Sequence, residues 1–479
     1  MIINGKFINF TQIILILISL FNSKEIIRNN LLNQITGIYI SLNSNYGKSN
    51  NIFDLSSLNL TENDYDLYIN GAKEEKSSNT YPFVKGITYD IKIIFNKLLL
   101  KTENMFKDCS SLKYLDLSQL DTSHVTNMNK MFYGCSSLKS INLNNFNTEN
   151  VIFMEDMFYS CESLSHLNLS SFNTLNVYSM ESMFGGCSSL ENLDISSFNT
   201  KNVKNMGWLF SHCESLTSIN LSNFYTRKVK TMQSMFSNCK NLIKIDLSQF
   251  HTENVENMES MFTDCSSLTS INLNNFDTRN VVTMNSMFYN CESLVRLNLY
   301  NFNTQKVKTM ANMFFGCHSL TSVDISSFDT REVTYLSNMF YNCFSLTSID
   351  LSSFNTQKVI NTGNMFNNCI SLRYINLSSF NSTSFEYIYN MFYNCTSLTS
   401  LDLSSFQFGN VITMEQMFYG CNHLKHIVLN NCEMKNDIEL NLAFYGLGKN
   451  GTILAPKDKC NKLIDELVSS ENNWKIEYF

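Results

Sequence analysis

The chain has 479 residues, with 35 Lys and Arg against 42 Asp and Glu, and a formal net charge of −7. Because there is no basic field to attract phosphates, this balance argues against binding to nucleic acid or to an anionic membrane surface. Hydrophobic residues make up 44 % of the chain and charged residues 16 %, which excludes an intrinsically disordered protein.

The first residues have the pattern of a signal peptide. Lys6 precedes an apolar stretch from Ile13 to Phe21, and polar residues follow. This stretch is shorter than the roughly 20 residues of a membrane-spanning helix, so we predict a cleaved signal peptide over residues 1–23, with an uncleaved anchor as the alternative. We expect a mature chain without a membrane span that is extracellular or held at the cell surface.

Residues 24–101 are predicted to form a β-rich N-terminal cap. Apolar residues alternate with polar ones from Ile38 to Leu42 and again from Ile87 to Phe95, as in half-buried strands. The dipeptide Asn70-Gly71 is typical of a two-residue hairpin turn. We expect these strands to shield the first unit of the array that follows.

A 26-residue repeat occupies most of the remaining chain. The dipeptide Met-Phe recurs without insertion or deletion, with Leu209-Phe210 in one position and Ala443-Phe444 as a degenerate last copy. A cysteine column, from Cys109 to Cys421, follows at a fixed distance. Such self-similarity is typical of a solenoid, in which each unit buries its apolar edges only against its neighbours.

Each unit is predicted to contain a strand followed by a short helix. The stretch from Leu138 to Phe146 has the spacing of a leucine-rich repeat, in which alternate strand residues face inward and Phe146 belongs to a stacked aromatic spine. Asn147 and Thr148 are typical helix N-cap residues, and apolar residues follow at three- and four-residue spacing as far as Phe158, which predicts an α or partly 3₁₀ helix.

The predicted fold is therefore an α/β solenoid, a leucine-rich-repeat-like right-handed stack of about 13–14 strand–helix units over residues 102–430 with a parallel sheet on one face. Residues 431–479 are expected to form the degenerate last unit and a strand–helix C-terminal cap. Within that cap we predict a strand at Thr452–Ala455, a helix at Lys457–Leu467 and a final strand at Trp474–Phe479.

The unit from Met131 to Val151, like its fellows, resembles the BspA-like leucine-rich repeats, the 26-residue repeat of bacterial and protist surface proteins. The resemblance covers about residues 102–456, although Phe stands where that family commonly has Trp in its D-W-D-T segment. It implies an exported or surface protein that acts in adhesion and protein recognition without enzymatic activity.

The cysteine column allows three interpretations: a buried ladder of thiols, a set of disulfides, or a metal site. Parallel Cβ vectors in stacked units keep the sulfurs side by side, so we favour buried thiols. A C-x-H-x-x-H cluster near the end resembles a zinc ligand set, but its side chains are not expected to converge. Its members are Cys421, His423, His426 and Cys432.

No enzymatic activity and no cofactor are expected. The motif Gly446-x-Gly448-x-x-Gly451 matches the dinucleotide fingerprint by letter, but it precedes a predicted strand instead of opening a helix, so we interpret it as a turn. A periodic surface repeats the same groups, whereas catalysis needs unlike groups that converge once.

Three surfaces are candidates for binding a partner. Most outward strand positions carry Ser, and we predict that a partner docks where larger residues interrupt this pattern, at Lys244, Arg296, Tyr300 and Tyr374. The second candidate is the residue after each Met-Phe, which forms either an exposed aromatic stripe or packing between helices, with Tyr289, Phe315 and Tyr341 as its strongest members. The third is a mixed Asp/Asn column from Asp116 to Asp402, either a solvated ladder, a recognition surface or, with less support, a calcium site.

The sequence thus favours a secreted or cell-surface, adhesin-like recognition protein that binds an extracellular protein or glycan. The alternative is a structural surface-coat component that acts by self-association. A third possibility, an exported enzyme inhibitor, has no positive feature in the sequence.

Overall fold

The computed structural model describes residues 2–3, 6–7, 36–43, 50–51, 53, 55, 58–74, 80–81, 88–430, 432–435, 437–457, 459–470 and 472–479. The apolar stretch on which the signal-peptide prediction rests lies outside these residues. Among the helices described, none is long and apolar enough to cross a membrane.

The strands and helices have the following bounds. The N-terminal strands are β1 (Ile2–Ile3), β2 (Lys6–Phe7), β3 (Thr36–Asn43), β4 (Asn50–Asn51), β5 (Tyr65–Ile69), β6 (Ala72–Lys73), β7 (Thr80–Tyr81) and β8 (Thr88–Phe95), with a 3₁₀ turn at Glu62–Asp64. The repeats contain β9 (Leu112–Gln119), β10 (Ser140–Asn142), β11 (His166–Asn168), β12 (Asn192–Asp194), β13 (Arg296–Asn298), β14 (Ser322–Asp324), β15 (Ser348–Asp350), β16 (Tyr374–Asn376), β17 (Ser400–Leu403) and β18 (His426–Leu429). The C-terminal elements are β19 (Thr452–Ala455), α1 (Asn461–Ser469) and β20 (Lys475–Tyr478).

A sheet joins the N-terminal segment to the first repeats. Its described strands lie in the order β10, β9, β3, β8, β5, β6, with β10 parallel to β9 and the other pairs antiparallel. The predicted hairpin at Asn70-Gly71 is confirmed, since Ile69 pairs with Ala72 and the turn residues have φ of 48° and 83°. Ile38 and Ile93 are buried, so the residues beside them in β3 and β8 face solvent.

The repeats form a β-solenoid of about 14 turns. One parallel bridge per turn makes a ladder that runs from Lys101 to Glu439. The leucine-rich strand positions pair less regularly, as β11 with β12, β13 with β14 and β15 with β16. Although the structure describes all of residues 216–272, they contain no strand, so the continuous sheet predicted on this face is interrupted.

The second half of each unit is not a helix, and the prediction of strand–helix units is wrong on this point. Lys130 N donates to Glu155 O and Phe132 N donates to Met157 O, both at 2.9 Å, so alternate amides bond to the next turn. A helix would use these amides within its own segment. Lys130 and Gly134 also have φ of 57° and 70°, values that a right-handed helix does not contain.

Left-handed positions recur twice in each unit and are occupied mainly by Asn, Asp, Ser and Gly. One precedes the Met-Phe, as at Asn312 with φ 58°, and the other follows the Phe by two residues, as at Asn290 with φ 52°. Asn and Gly adopt this conformation at low cost. The asparagines also bond along the array, as where Asn368 Nδ2 donates to Asn342 Oδ1 at 2.9 Å.

Two columns of stacked phenylalanines fill the solenoid. The Phe of each Met-Phe stacks on the next, beginning with Phe106 on Phe132 at 5.7 Å between ring centroids and ending at Phe444. The predicted aromatic spine is confirmed as a second column, in which Phe146 stacks on Phe172 at 5.9 Å. Because each ring touches the rings of neighbouring turns, burial of apolar surface couples the turns to one another.

Buried threonines also couple successive turns. Thr148 Oγ1 donates to Asn173 O at 3.0 Å and accepts from Asn173 N at 2.7 Å. The sequence suggested a helix cap at this position, but the hydroxyl satisfies two backbone groups of the next turn instead. The same pair of bonds recurs at Thr200, Thr226 and Thr330.

The C-terminal cap closes the last turn with a parallel sheet in the order β17, β18, β19, β20. The strand predicted at Thr452–Ala455 is confirmed, and the last strand is Lys475–Tyr478. The helix spans Asn461–Ser469 and begins later than predicted. Its N-cap is Cys460, and a disulfide from this residue to Cys432 fixes the chain where the helix starts.

Candidate functional site

The dipeptide Thr-Ser recurs at the exposed strand positions of the solenoid. Among the eight units between residues 217 and 400, five carry Thr-Ser and three depart from it at both positions, and the six replacing residues are all exposed. They are Ile243-Lys244, Val295-Arg296 and Arg373-Tyr374. We call the surface formed by these six residues and Tyr300 the variable face.

The structure places all four residues of the first predicted site on this face. Arg296 and Tyr374 begin β13 and β16, and the strand register aligns Arg296 with Ser322 and Ser348 with Tyr374. Three strand spacings separate Arg296 from Tyr374, about 14 Å. Lys244 is exposed but lies where no strand forms, and therefore not on a sheet position as predicted.

Tyr300 follows β13 and is held by the backbone turn there. Its amide donates to Asn298 Oδ1 at 3.2 Å, and its side chain is exposed. Sequence reasoning missed Ile243, Val295 and Arg373, although the recurrence of Thr-Ser in other units would have revealed them. Ile243 is 51 % exposed.

The cations of the variable face lack acidic partners. Within the part of the chain that the structure describes, Lys244, Arg296 and Arg373 form no ion pair. Elsewhere on the solenoid Lys230 Nζ lies 2.7 Å from Glu256 Oε1, so charge pairing between turns is available to this fold. The variable face is therefore a positively charged strip on an acidic protein.

The Asp/Asn column is exposed, as predicted, but its side chains close backbone turns. Asp350 Oδ1 accepts from Ser352 N at 2.9 Å, and this hydrogen bond holds the pKa of Asp350 below its usual range. The same bond joins Asp194 to Ser196 N at 3.0 Å. These side chains therefore position the turn that follows each strand.

The second predicted site is a stack of half-buried rings. The centroid of Phe315 lies 4.5 Å from that of Tyr289 and 4.6 Å from that of Tyr341. Burial raises the pKa of the Tyr289 hydroxyl. Since the described residues of the repeats contain no helices between which these rings could pack, the rings form an edge-exposed stripe on the turn half of the solenoid.

A cleft of about 910 Å³ at the N-terminal end of the strand face was missed by sequence analysis. The cross-strand register places Tyr68, Lys92, Tyr39 and Asp116 in one row. Lys92 Nζ lies 5.2 Å from the centroid of the Tyr39 ring, a cation–π contact. The sequence already indicated an outward aromatic residue here, because Tyr39 lies between Ile38 and Ile40, which are both buried.

The cysteine column lies in the core. Cys239 Sγ donates to Phe210 O at 3.1 Å, and burial raises the pKa of this thiol to about 12. The thirteen cysteines of the column are buried and carry free thiols. A thiol of this kind is a small apolar residue with a weak donor, not a reactive nucleophile.

The zinc-like cluster does not converge. Cys432 is bonded to Cys460, and His423 Nδ1 lies 2.7 Å from Thr396 O. The described residues contain no group of three or more His, Cys, Asp or Glu side chains suited to a metal ion. Gly446, in the glycine motif, adopts φ 73° in a turn.

Solved structures with some likeness to the chain are leucine-rich-repeat proteins and receptors. A leucine-rich-repeat protein of Leptospira interrogans is 14 % identical over 76 % of this chain and 91 % of its own, with a TM-score of 0.25. The plant peptide hormone receptor RGFR1 in complex with RGF2 is 15 % identical over 78 % of this chain and 68 % of its own, with a TM-score of 0.17. TLR13 in complex with ssRNA13 is 14 % identical over 79 % of this chain and 72 % of its own, with a TM-score of 0.15. At these TM-scores the likeness supports no conclusion about function, and comparison with curated proteins finds no match.

The repeats themselves match a family model. The family is described as "Mycoplasma protein of unknown function, DUF285", and four overlapping matches cover residues 100–220, 206–323, 268–374 and 314–432. Together these matches extend over more than half of the chain and include the strand positions, the Met-Phe dipeptides and the cysteine column described above. This chain belongs to the DUF285 family.

Proposed function

We propose that this chain is an exported or surface-displayed, non-catalytic recognition protein that binds an extracellular protein through the variable face. The observation that carries the proposal is the paired departure from Thr-Ser in three of the eight turns between residues 217 and 400. Each departure puts a large apolar or cationic side chain into solvent, which does nothing for the solenoid itself. Arg and Tyr anchor interfaces disproportionately, and exposed aliphatic residues beside them are expected where a partner covers the surface.

The charge of the variable face defines the partner. Three cations without acidic partners favour a protein surface that carries carboxylates, because each new ion pair then replaces a solvated charge without breaking an existing contact. Association is therefore expected to weaken as ionic strength rises.

Two features support export. The predicted signal peptide over residues 1–23 directs the chain to the secretory route. The Cys432–Cys460 disulfide belongs to an oxidising compartment, since cytosolic thiols are kept reduced. The adhesin-like role implied by the resemblance to BspA-like repeats is part of the same proposal.

The test is an array of extracellular proteins and glycans probed with the purified mature chain. A triple variant, Arg296→Ser, Tyr300→Ser and Tyr374→Ser, should keep the circular dichroism spectrum and bind a captured protein at least tenfold more weakly, about 1.4 kcal/mol. A matched control replaces equally exposed residues on other faces with Ser, at Tyr178, Tyr225 and Arg331.

Equal affinity in the triple variant and the wild type would show that the variable face is not the site. Tyr289, Phe315 and Tyr341 would then be replaced next. Capture of glycans alone would contradict a protein partner.

The alternative, a coat component acting by self-association, is favoured by the half-buried ring stack from Tyr289 to Tyr341. An exposed edge of stacked rings is a surface on which a second copy can pack. Sedimentation at increasing protein concentration separates the two functions, because a coat component forms oligomers and a recognition protein remains a monomer until its partner is added.

A further inference from the structure

The aromatic stripe is interrupted at four consecutive turns. Between Tyr159 and Tyr289 the residue in this position is Gly185, Ser211, Ser237 or Thr263. A cleft of about 550 Å³ opens over the first three of these turns. Its walls include Asp156, Tyr159, Glu181, Trp208, Ser211 and Ser234.

Two further departures from the repeat lie at this cleft. Leu209 replaces the usual Met, and Trp208 precedes it in a left-handed position with φ 53°, where the other turns carry mostly small or polar residues. An aromatic residue is rarely found in this conformation. The repeat would be satisfied by Ser at this position, so the solenoid does not require the indole that lines the cleft.

Two serine hydroxyls in the cleft are available to a ligand. Ser211 and Ser234 line the cleft, and their exposed fractions are 5 % and 8 %. Within the described residues neither hydroxyl makes a side-chain hydrogen bond, and neither is among the buried unpartnered polar atoms, so both oxygens open into the cleft. The same cleft therefore contains hydrogen-bonding capacity that the protein does not use.

The remaining polar groups are nearly balanced in charge. Asp156 Oδ2 lies 3.8 Å from Lys130 Nζ, and Glu181 Oε2 accepts from Asn205 Nδ2 at 2.6 Å. Burial raises the pKa of both carboxyl groups. An anion would be repelled by these two acids, a cation would compete with Lys130, and an apolar ligand would leave the hydroxyls unpaired.

We propose that this cleft binds a neutral saccharide of an extracellular glycan. A pyranose ring has an apolar C–H face, which packs on Tyr159 and Trp208, and hydroxyl groups that both donate to carboxylates and exchange hydrogen bonds with Ser211 and Ser234. The volume lies within the range of small-molecule sites. The site is on the turn half of the solenoid, away from the variable face, so the two proposals are independent.

Intrinsic fluorescence reports directly on this cleft. The chain has two tryptophans, and Trp474 lies in the C-terminal cap, so Trp474→Phe leaves Trp208 as the reporter. The full chain carrying this substitution is titrated with chitotriose, maltotriose, mannotriose and trilysine and is probed on an array of neutral glycans. We expect a saturable change with at least one trisaccharide, with a Kd of about 1 mM or lower, and none with trilysine. Saturation by trilysine alone, or no glycan binding in any of these assays, refutes the proposal.

Two variants that place an aromatic residue in the interruption of the stripe provide a matched test. Ser211→Tyr introduces the residue that Tyr133 and Tyr159 place at the equivalent position, so the turn accommodates it while the cleft closes. Thr263→Tyr makes the same change in the gap but outside the cleft lining. Both variants are made in the chain that retains Trp474 and are measured on the glycan array. Glycan affinity should fall at least tenfold in Ser211→Tyr and remain unchanged in Thr263→Tyr. Wild-type affinity in Ser211→Tyr, or an equal loss in both variants, contradicts the assignment.

Discussion

Replacing Thr226 by valine tests whether the buried hydroxyls hold successive turns together. Thr226 is fully buried, and its Oγ1 donates to His251 O at 2.8 Å and accepts from His251 N at 2.7 Å. Valine has nearly the same shape but no hydroxyl, so both backbone groups of His251 lose their partner while the packing is kept. Each unsatisfied group costs about 1–3 kcal/mol when buried. Because His251 is partly exposed and water replaces some of the loss, we expect a total of about 2 kcal/mol.

Hydrogen exchange at the His251 amide is the appropriate assay, since a long repeat array does not unfold as a single unit. A loss of about 2 kcal/mol in local opening corresponds to roughly 30-fold faster exchange of this amide. Thr226→Ser is the control, because Ser382 Oγ naturally makes the equivalent bond to Gln407 O at 2.7 Å. If the valine variant exchanges as slowly as the serine variant, the hydroxyls do not couple the turns and the reasoning fails.

Other perturbations test the core, the repeat, the polar turns and the thiols. Phe250 is buried and stacks on Phe276 at 6.4 Å, so Phe250→Ala should lower the free energy of local opening at this turn, measured by hydrogen exchange, by about 3–5 kcal/mol; a loss under about 1 kcal/mol would contradict close packing of the spine. Deletion of residues 235–260 removes one period and should leave a folded, shorter solenoid with an unchanged circular dichroism spectrum per residue, whereas aggregation or loss of structure would argue against nearest-neighbour stabilisation. The hydrogen bond from Ser352 holds the pKa of Asp350 low, so its stabilisation is present at neutral pH and disappears as pH falls through the folded pKa. Asp350→Asn keeps the acceptor and should flatten the decline of Tm between about pH 5 and pH 2; an unaltered acid profile would disprove this role. Burial raises the pKa of Cys187 and Cys317 to about 12, so a disulfide reagent at about pH 8 should modify the column only after denaturation, and rapid labelling of the native protein would show that the column is open to solvent.

Apolar periodicity predicted what is buried but not how the backbone is folded. Met157 and Phe158 are in the core as expected, yet spacing of three and four residues is also produced by a chain of tight turns with two left-handed residues, four positions apart, in each unit. The evidence against a helix was in the sequence, because Asn, Asp, Ser and Gly recur at those positions. Helix propensity alone does not distinguish these cases, since the deciding hydrogen bonds are made to a neighbouring turn.

Other features depend on three-dimensional contacts that one unit does not encode. The strand pairing is lost between residues 216 and 272 although the apolar pattern continues through them. The Cys432–Cys460 disulfide joins residues 28 positions apart, and spacing alone does not identify such pairs. The saccharide cleft, by contrast, follows from a break in a column that the sequence already displays, at Gly185, Ser211 and Ser237.

The alternate amides of the turn halves all point toward the C-terminal end of the array. Phe106 N donates to Met131 O, and the same direction is kept as far as Phe418 N, which donates to Ala443 O. In the turn halves, an uncapped N-terminal end would therefore present unpaired carbonyls, and an uncapped C-terminal end would present unpaired amides. The groups at both ends have the same spacing. Such ends are complementary, so uncapped arrays would join head to tail into open filaments. The N-terminal sheet pairs with the strand half of the first turn and the disulfide-linked cap closes the last turn, so loss of both caps is expected to favour joining of arrays into a fibre.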